Sequence, residues 1–394
     1  MKVLIINTLY FPNGTGGAEK NTQMIAEELV KHGVEVVVVT TSDRDYVENI
    51  NNVRVYYVKT RNLYWGLHSK GQKKYKKPLW HLIDSYNPLM AGKIRGILLE
   101  ERPDVVQTNC LSGFSVSVWA LLKKCGIPIL HVLHDHYLLC LKTTMFRDNR
   151  NCLTQCRPCR ALSAPRKKLS GLVDSVAGVS NYILKRHLDL GFFENARHKI
   201  CLPNFIDLPE NPVGAERDRA YGQLAFGYIG LLSAGKGIEV LLEEFTNIPD
   251  TSLLVFGKGE TPEYENYLRT KYADRNIKFM GYNADLTEVF KTFGVLIVPS
   301  LWNEIAGRVV VEAYSHGLPV IASNRGGIGE YVDEAKTGLV FDPDLQGSLR
   351  EKIMWFIENQ DRISSMSEDC LQKAREFSKE KIVQEFINAY KALL

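Results

Sequence analysis

Short runs of β-branched and other apolar residues alternate with helical patterns from one end of this 394-residue chain to the other. Such alternation is typical of parallel sheets whose strands are joined by crossover helices. Because a single hydrophobic core stops growing near roughly 250–300 residues, we expect an α/β chain with two doubly wound, Rossmann-like domains. The apolar runs predict strands at 2–7, 34–40, 53–58, 104–107, 129–133, 176–179, 224–229, 252–256, 277–280, 294–298 and 319–322.

A change in composition marks the boundary between the predicted domains. The segment 202–219 contains prolines, glycines and charged residues without an apolar period, which indicates a linker. We therefore predict a first domain over 1–207, with a cysteine-rich insertion at about 140–160, and a second domain over 208–378. The closing residues 379–394 place apolar side chains on one helical face, which predicts a helix packed on a domain surface.

Charge is distributed unevenly between the two halves. The net charge of +4 is too small to indicate a nucleic-acid-binding protein. Residues 1–200 nevertheless contain 29 Lys and Arg against 16 Asp and Glu, whereas residues 201–394 contain 20 against 29. The basic half predicts contact with an anionic partner, and solvated surface charge is the alternative.

The sequence also bears on where the protein works. No stretch reaches the ~18 uninterrupted apolar residues of a membrane-spanning helix. The apolar N-terminus is not followed by a small-residue cleavage site, so it predicts a strand rather than a signal peptide. We therefore expect a cytoplasmic protein whose eight cysteines stay reduced.

Residues 59–80 show the strongest local bias, because lysines alternate there with aromatic residues and no acidic residue interrupts them. Such mixtures suit an anionic membrane surface or a lipid phosphate. A solvated loop without a role and a site for single-stranded nucleic acid are the alternatives. The predicted acceptor or membrane contacts are Lys73, Lys74, Lys76, Lys77, Trp65 and Trp80, and Lys70 belongs to the same segment.

A glycine-rich loop follows the first predicted strand. Gly14, Gly16 and Gly17 allow the backbone to approach a ligand closely, and the helix that begins near Gly17 directs its free N–H groups at that place. A phosphate would fit there, although Glu19 stands where the dinucleotide fingerprint requires glycine. A plain tight turn is the alternative.

A second glycine turn opens the other half. Gly230, Gly235 and Lys236 match the spacing of a P-loop, but Gly237 replaces the Ser or Thr that would hold magnesium. Hydrolysis of a nucleoside triphosphate is therefore disfavoured. A lysine at a helix N-terminus remains a good diphosphate site, and a solvent-exposed lysine is the alternative.

Two carboxylates stand eight residues apart in the segment 298–330. Glu304 is expected in the loop after a strand, and Glu312 within the following helix. A glycosidase acid/base pair is one interpretation, but the spacing does not place the carboxylates on opposite sides of a bond. Hydrogen bonds to the hydroxyls of a sugar or ribose fit as well. The alternative is that Glu304 only stabilises the helix dipole from the first turn and that Glu312 is a surface charge.

His134 is predicted just past the carboxyl end of a buried strand, where doubly wound sheets bind their ligands. A pKa near neutrality allows either a hydrogen-bonding or a proton-transfer role. His131 and His136 are close in sequence, but strand alternation directs His131 away from the other two and argues against a shared metal.

Four cysteines lie close together in the predicted insertion. Their spacing suits a structural zinc or, less well, an iron–sulfur centre. Free thiols and a redox pair are the alternatives. The residues are Cys140, Cys152, Cys156 and Cys159.

Together these features resemble the family 4 glycosyltransferases of the GT-B fold, nearly from end to end. The most specific match is Glu304 and Glu312 with their seven intervening residues, followed by the sequence GGIGE at 326–330. His134–Asp135, the sequence PNFID at 203–207 and the two glycine turns support it. The resemblance implies two Rossmann-like domains around a cleft and a C-terminal helix that crosses back to the first domain.

The resemblance also implies a role for each matching residue. Glu312 would hold the ribose of a nucleotide-sugar, Glu304 the donor sugar and Lys236 the diphosphate. Gly16, with Gly17 beside it, would contact the β-phosphate, and His134 would lie beside the reacting sugar. Backbone amides of Ile305, Ala306 and Gly307 would contribute to binding the sugar and phosphate.

One residue departs from the family pattern. Members usually carry arginine where this chain has Leu231, so a bidentate phosphate ligand is missing. Arg308, four residues after Glu304, is the candidate replacement.

We therefore expect a retaining, metal-independent glycosyltransferase of the hexosyltransferase type. Its donor would be a nucleotide-sugar bound by the second domain. Its acceptor, bound by the first domain, would be a lipid-linked glycan precursor for a cell-surface polysaccharide or lipopolysaccharide. The protein would be peripheral on the inner face of the membrane, with no cofactor for catalysis and no nucleic-acid partner. A sugar-nucleotide epimerase of the same fold and a catalytically silent glycan- or protein-binding partner are the alternatives.

Overall fold

The computed structural model describes residues 1–14, 16–69, 71–210, 212, 224–246, 248, 250–274 and 276–394. Lys70 and most of the predicted linker lie outside these residues. The chain divides into two compact units. Unit 1 contains Met1–Met145, Cys152–Asn204 and Lys379–Leu394, and unit 2 contains Phe146–Asn151 and Phe205–Ser378.

The strands are β1 Lys2–Asn7, β2 Glu35–Ser42, β3 Tyr46–Ile50, β4 Val53–Lys59, β5 Val105–Thr108, β6 Ile129–Leu133, β7 Phe146–Arg147, β8 Arg150–Asn151, β9 Ser175–Gly178, β10 His198–Cys201, β11 Ala225–Ile229, β12 Ser252–Phe256, β13 Ile277–Gly281, β14 Val295–Val298, β15 Val320–Ser323 and β16 Gly338–Phe341.

The α-helices are α1 Gly17–Lys31, α2 Lys76–Ser85, α3 Pro88–Glu101, α4 Ser117–Lys124, α5 Arg157–Ser170, α6 Asn181–Asp189, α7 Ile238–Phe245, α8 Pro262–Tyr272, α9 Leu286–Phe290, α10 Arg308–Ser315, α11 Ser348–Glu358, α12 Gln360–Arg375 and α13 Lys379–Lys391.

Each unit is built on a twisted sheet of mostly parallel strands. The sheet of unit 1 has the order β10-β9-β6-β5-β1-β2-β4-β3, with β3 antiparallel to β4. The sheet of unit 2 has the order β13-β12-β11-β14-β15-β16 and is parallel throughout. Central strands such as β1 and β12 are almost entirely apolar, because helices cover both faces of a parallel sheet. The predicted doubly wound α/β fold is confirmed.

The strand orders determine where ligand sites can form. In each sheet the chain leaves the first strand on one side and later returns on its other side, so β1 lies between β2 and β5, and β11 between β12 and β14. The loops that follow such neighbouring strands diverge and leave a crevice at the carboxyl edge of the sheet. The two glycine turns identified in the sequence follow β1 and β11.

A small hairpin departs from the predicted domain boundaries. Strands β7 and β8 are joined by Asp148 and Asn149, whose positive φ angles of 52° and 55° are those of a tight hairpin turn. The sequence predicts that the whole cysteine-rich insertion belongs to the first domain. The hairpin instead clusters with unit 2, because its side chains contact the loop after β14.

The C-terminal helix α13 belongs to unit 1. Its apolar face is buried there, and the Tyr390 hydroxyl donates a hydrogen bond to Oε1 of Gln107 in β5. Among the described residues, no helix is long and apolar enough to cross a membrane.

A buried ion pair connects α2 and α5 in unit 1. Asp84 Oδ2 and Arg166 Nη2 are 3.3 Å apart, and both side chains are almost completely inaccessible to solvent. The guanidinium also lies 4.0 Å from the centre of the Tyr137 ring, and Asp84 Oδ1 accepts a hydrogen bond from the backbone N–H of Gly113. Burial raises the pKa of Asp84 to about 6, and Arg166 opposes this shift.

We expect Arg166→Met to lower the free energy of unfolding by about 3–5 kcal/mol, because it leaves a buried carboxylate without its cation. The double variant with Asp84→Asn should recover part of this loss. Urea unfolding of the two single variants and the double variant measures both effects. A loss below about 1 kcal/mol in Arg166→Met would contradict this account.

Candidate active site

A cleft of about 300 Å³ opens in unit 2 at the carboxyl ends of β11 and β14. It brings together residues that are far apart in the sequence. Its lining residues are Tyr228, Ile229, Gly230, Lys236, Val298, Pro299, Ser300, Glu304, Ala306, Gly307, Arg308, Val309, Glu312 and Ile328.

The turn after β11 brings Lys236 to this cleft. Gly237 has a φ of +71°, and a Cβ at this position would lie 1.9 Å from the carbonyl oxygen of Pro299. The glycine therefore permits both the left-handed turn and the close approach of the two loops. Lys236 Nζ forms an ion pair with Glu304 Oε1.

The loop that carries Glu304 is fixed from a second side. Gly326 has a φ of +64°, and a Cβ there would lie 2.1 Å from the Glu304 carbonyl oxygen. That oxygen accepts a 2.7 Å hydrogen bond from the N–H of Gly327. The Ser300 hydroxyl donates to Glu304 Oε1 at 2.8 Å, so both the backbone and the side chain of Glu304 are held.

The second carboxylate of the cleft has its own cation. Arg308 and Glu312 lie one turn apart on α10, and Arg308 Nε donates to Glu312 Oε1 at 2.8 Å. Each carboxylate is therefore neutralised by a basic residue. If a ligand that carries both phosphates and hydroxyls entered, its phosphates could bind the two cations, and the carboxylates could accept hydrogen bonds from its hydroxyls.

Leu231 is 47% exposed, and its carbonyl oxygen accepts a hydrogen bond from the Tyr228 hydroxyl at 2.8 Å. That Arg308 supplies the guanidinium that is missing at position 231 stays a prediction, although Arg308 lines the same cleft as Lys236. Trp302, whose ring centre lies 5.2 Å from Lys236 Nζ, is not among the residues predicted from the sequence. Its position two residues before Glu304 was the signal that could have found it.

A second group of predicted residues lies in unit 1, at the carboxyl edge of its sheet. His134 and Asp135 follow β6, and Gly16 precedes the first turn of α1. Glu19 folds back over the glycine loop, so that a Cβ on Gly16 would lie 2.3 Å from a Glu19 carboxylate oxygen. A carboxylate thus lies where the sequence predicted a phosphate.

Burial controls the charge of the histidine and its neighbour. It lowers the pKa of His134 to about 4, so the imidazole is neutral near pH 7. Its Nε2 has no hydrogen-bond partner among the described residues. Burial raises the pKa of Asp135, against hydrogen bonds from the Tyr137 backbone N–H and the Cys110 thiol. His134 can therefore exchange a hydrogen bond with a ligand without carrying a charge.

Only some of the cysteines in the cysteine-rich insertion are in contact with one another. Cys159 is buried and Cys156 is exposed, and contact between them contributes, after burial, to raising the pKa of Cys159 to about 12. The described part of the chain contains no group of three or more His, Cys, Asp or Glu positioned to hold a metal. The zinc hypothesis stays a prediction, which metal analysis of the purified protein would test.

Two of the predicted membrane contacts are occupied by internal hydrogen bonds. Trp80 is buried, and its indole N–H donates to the carbonyl oxygen of Tyr64 at 2.9 Å. The Trp65 indole donates to the Thr41 hydroxyl at 2.9 Å. The prediction is therefore wrong for Trp80, because its buried ring stacks on that of Tyr64, with ring centres 5.9 Å apart. Lys73, Lys74 and Lys77 are exposed and Lys76 is half-buried.

Two family models match the chain. The model described as Glycosyltransferase Family 4 matches residues 15–209, and that described as Glycosyl transferases group 1 matches residues 217–377. An uncharacterized 42.6 kDa protein in the cps region of Klebsiella pneumoniae is 30% identical over 348 residues, which cover 88% of this chain and 91% of that protein.

Solved structures with low sequence identity share the fold. Sucrose-phosphate synthase from Thermosynechococcus elongatus has a TM-score of 0.76 at 18% identity, covering 100% of this chain and 98% of that one. Anabaena HepE in complex with UDP-glucose has a TM-score of 0.71 at 19% identity, covering 100% of both chains.

The buried histidines of unit 1 predict how stability depends on pH. Burial lowers the pKa of His134 and His187 to about 4, that of His136 to about 3, and that of His131 well below its usual value. An unfolded chain takes up these protons near pH 6.5, so stability should fall as the pH decreases from about 6.5 towards 4. The raised pKa of Asp84 acts in the opposite direction.

We expect His136→Phe to remove about 1 kcal/mol per pH unit of this dependence, because phenylalanine keeps the ring but cannot bind a proton. Urea unfolding at intervals between pH 6.5 and 4.5 measures it. The variant His198→Gln, at an exposed position, should keep the wild-type slope. Parallel profiles for wild type and His136→Phe would refute the explanation.

Proposed function

Because this chain belongs to the family 4 glycosyltransferases, we propose that it transfers a sugar from a nucleotide-diphosphate sugar to a hydroxyl of a glycan precursor. The observation that supports this most directly is the cleft of unit 2, where Lys236 and Arg308 lie beside Glu304 and Glu312. A nucleotide-sugar offers the matching chemistry, two phosphates and many hydroxyls. HepE, a structural neighbour, was solved with UDP-glucose.

In the proposed donor complex the two ion pairs of the cleft open. The diphosphate binds Lys236 and Arg308. Glu304 accepts a hydrogen bond from a hydroxyl of the donor sugar, and Glu312 accepts one from a hydroxyl of the ribose. The amides of Ile305–Gly307 immediately precede α10, so the start of this helix adds partial positive charge for an oxygen of the sugar or phosphate. Loss of an arginine at position 231 is then compensated within the cleft.

The proposed reaction breaks the bond between the anomeric carbon and a diphosphate oxygen and forms one between that carbon and an acceptor oxygen. The proton of the acceptor hydroxyl passes to the departing diphosphate. Anomeric configuration is retained. Fixed positive groups stabilise the leaving diphosphate, so no catalytic metal is required. In unit 1 the neutral His134 would hydrogen-bond a substrate hydroxyl. The N-terminus of α1 at Gly16 and Gly17 would bind a phosphate after the Glu19 side chain moves aside.

We expect Lys236→Ala to weaken nucleotide-sugar binding about 10- to 100-fold, because a charge-assisted hydrogen bond contributes about 1.5–3 kcal/mol. Glu304→Gln should lower turnover at least about 100-fold. Calorimetry and product analysis with UDP-, GDP- and ADP-sugars and candidate acceptors measure both.

The matched controls are Lys291→Ala and Glu288→Gln, which break an exposed Lys–Glu pair of the same unit outside the cleft. Unchanged turnover in both cleft variants would show that the site is assigned wrongly. Conversion of the nucleotide-sugar without an acceptor would indicate an epimerase. Absence of any nucleotide binding would indicate a silent binding partner.

We also propose that the acceptor is lipid-linked and that α2 contacts an anionic membrane surface. Three side chains with spacings of four and three residues form an exposed apolar row at the N-cap and along α2: Tyr75, Leu79 and Leu82 are 68%, 48% and 56% exposed. The lysines at 73, 74, 76 and 77 are adjacent at the start of the helix. An apolar row with lysines beside it suits the boundary between headgroups and acyl chains.

We expect the protein to sediment with vesicles that contain anionic phospholipid but not with neutral ones, and added salt should weaken this binding. Replacing the four lysines by glutamine, or Leu79 and Leu82 by serine, should reduce binding at least about tenfold. The variant Leu345→Ser, at a 63% exposed position of unit 2, serves as the control. Equal binding to neutral and anionic vesicles would refute the charge argument.

A further inference from the structure

The hairpin β7–β8 contacts the loop that precedes Glu304. The Asn151 amide Nδ2 donates to the carbonyl oxygen of Leu301 at 2.7 Å, and Asn151 Oδ1 accepts from the N–H of Asn303 at 2.8 Å. One side chain therefore binds the backbone on both sides of Trp302. A primary amide can do this because it carries a donor and an acceptor.

A ring contact accompanies these hydrogen bonds. Phe146, which pairs with Asn151 across the hairpin, meets the Trp302 ring edge to face, with ring centres 6.2 Å apart. On the Lys236 side, Nζ lies 5.2 Å from the centre of the same indole. Trp302 is thus held between the hairpin and the lysine of the cleft.

The backbone of this loop continues the connection to the donor site. The N–H groups of Leu301 and Trp302 both donate to the carbonyl oxygen of Gly235, at 2.9 and 3.1 Å. Gly235 immediately precedes Lys236, and Asn303 immediately precedes Glu304. The segment that Asn151 fixes therefore sets the backbone positions of both members of the Lys236–Glu304 ion pair.

We propose that Asn151 is a positioning residue for nucleotide-sugar binding, which acts through the loop 301–303 on Lys236 and Glu304. The inference rests on the donor role proposed for this cleft. Two hydrogen bonds from a side chain hold the loop in the geometry that the diphosphate and the sugar need. Without them the loop samples other conformations, and the donor must select the competent one.

The test compares three variants of the hairpin. Asn151→Ala should raise the KM for the nucleotide-sugar about tenfold and leave kcat within about twofold, because the loop is reordered once the donor is bound. Asn151→Asp keeps the acceptor for the Asn303 N–H and loses the donor, so its KM should lie between those of Asn151→Ala and wild type. Asn149→Gly removes an amide from the exposed turn and keeps its positive φ, so it should behave as wild type.

Hydrogen exchange supplies a readout without substrate. In Asn151→Ala the N–H of Asn303 should exchange at least about tenfold faster than in wild type, while the midpoint of thermal unfolding stays within about 2 °C. A wild-type KM together with unchanged exchange in Asn151→Ala would overturn the positioning role. If Asn151→Ala lost stability and kcat to the same extent, Asn151 would have a structural role and no positioning role. Absence of donor binding in the wild-type protein would instead overturn the proposed function, and this inference with it.

Discussion

The close approach of two loops at the carboxyl edge of one sheet is the constraint on which the candidate site depends. The turn after β11 can reach the loop after β14 because Gly237 has no Cβ to collide with the Pro299 carbonyl. Gly326 permits the same kind of approach from the far side of Glu304. These contacts align Lys236 with Glu304, and α10 then places Arg308 and Glu312 in the same cleft.

Charge within this cleft is local and balanced. The half of the sequence that forms most of unit 2 carries an excess of acidic residues, so its overall charge repels a nucleotide diphosphate. In the proposed donor complex, attraction would therefore come from Lys236, Arg308 and the start of α10. Both cations already pair with carboxylates, so the proposed ligand would replace these partners and would not meet unpaired charges. The cost of burying unpaired ions would then be avoided in both states.

In unit 1, the composition of a segment does not determine which of its side chains face solvent. The aromatic and basic bias of residues 59–80 is a property of the sequence, but folding directs Trp80 inward and leaves Tyr75, Leu79 and Leu82 exposed. The histidines show the same distinction. The sequence predicts a pKa near neutrality for His134, whereas burial lowers this pKa to about 4 and that of His136 to about 3.

Periodicity and turn chemistry in the sequence determined the fold class, and the strands β1, β6 and β12 have the predicted bounds. Glycine turns and helix starts are local signals, and they singled out Lys236, Glu304 and Glu312 as candidates, whereas Arg308 was named from the resemblance to the family. All four residues line the cleft. Strands β3 and β10 were missed because polar residues interrupt their apolar pattern and neither strand is buried, and the four-residue strand β16 was missed as well. Only the tertiary structure decided which charges pair, which tryptophan of residues 59–80 is buried, and which loop Asn151 contacts. Those outcomes depend on contacts between residues up to about 150 positions apart, as between Asn151 and Leu301, and no local pattern encodes such contacts.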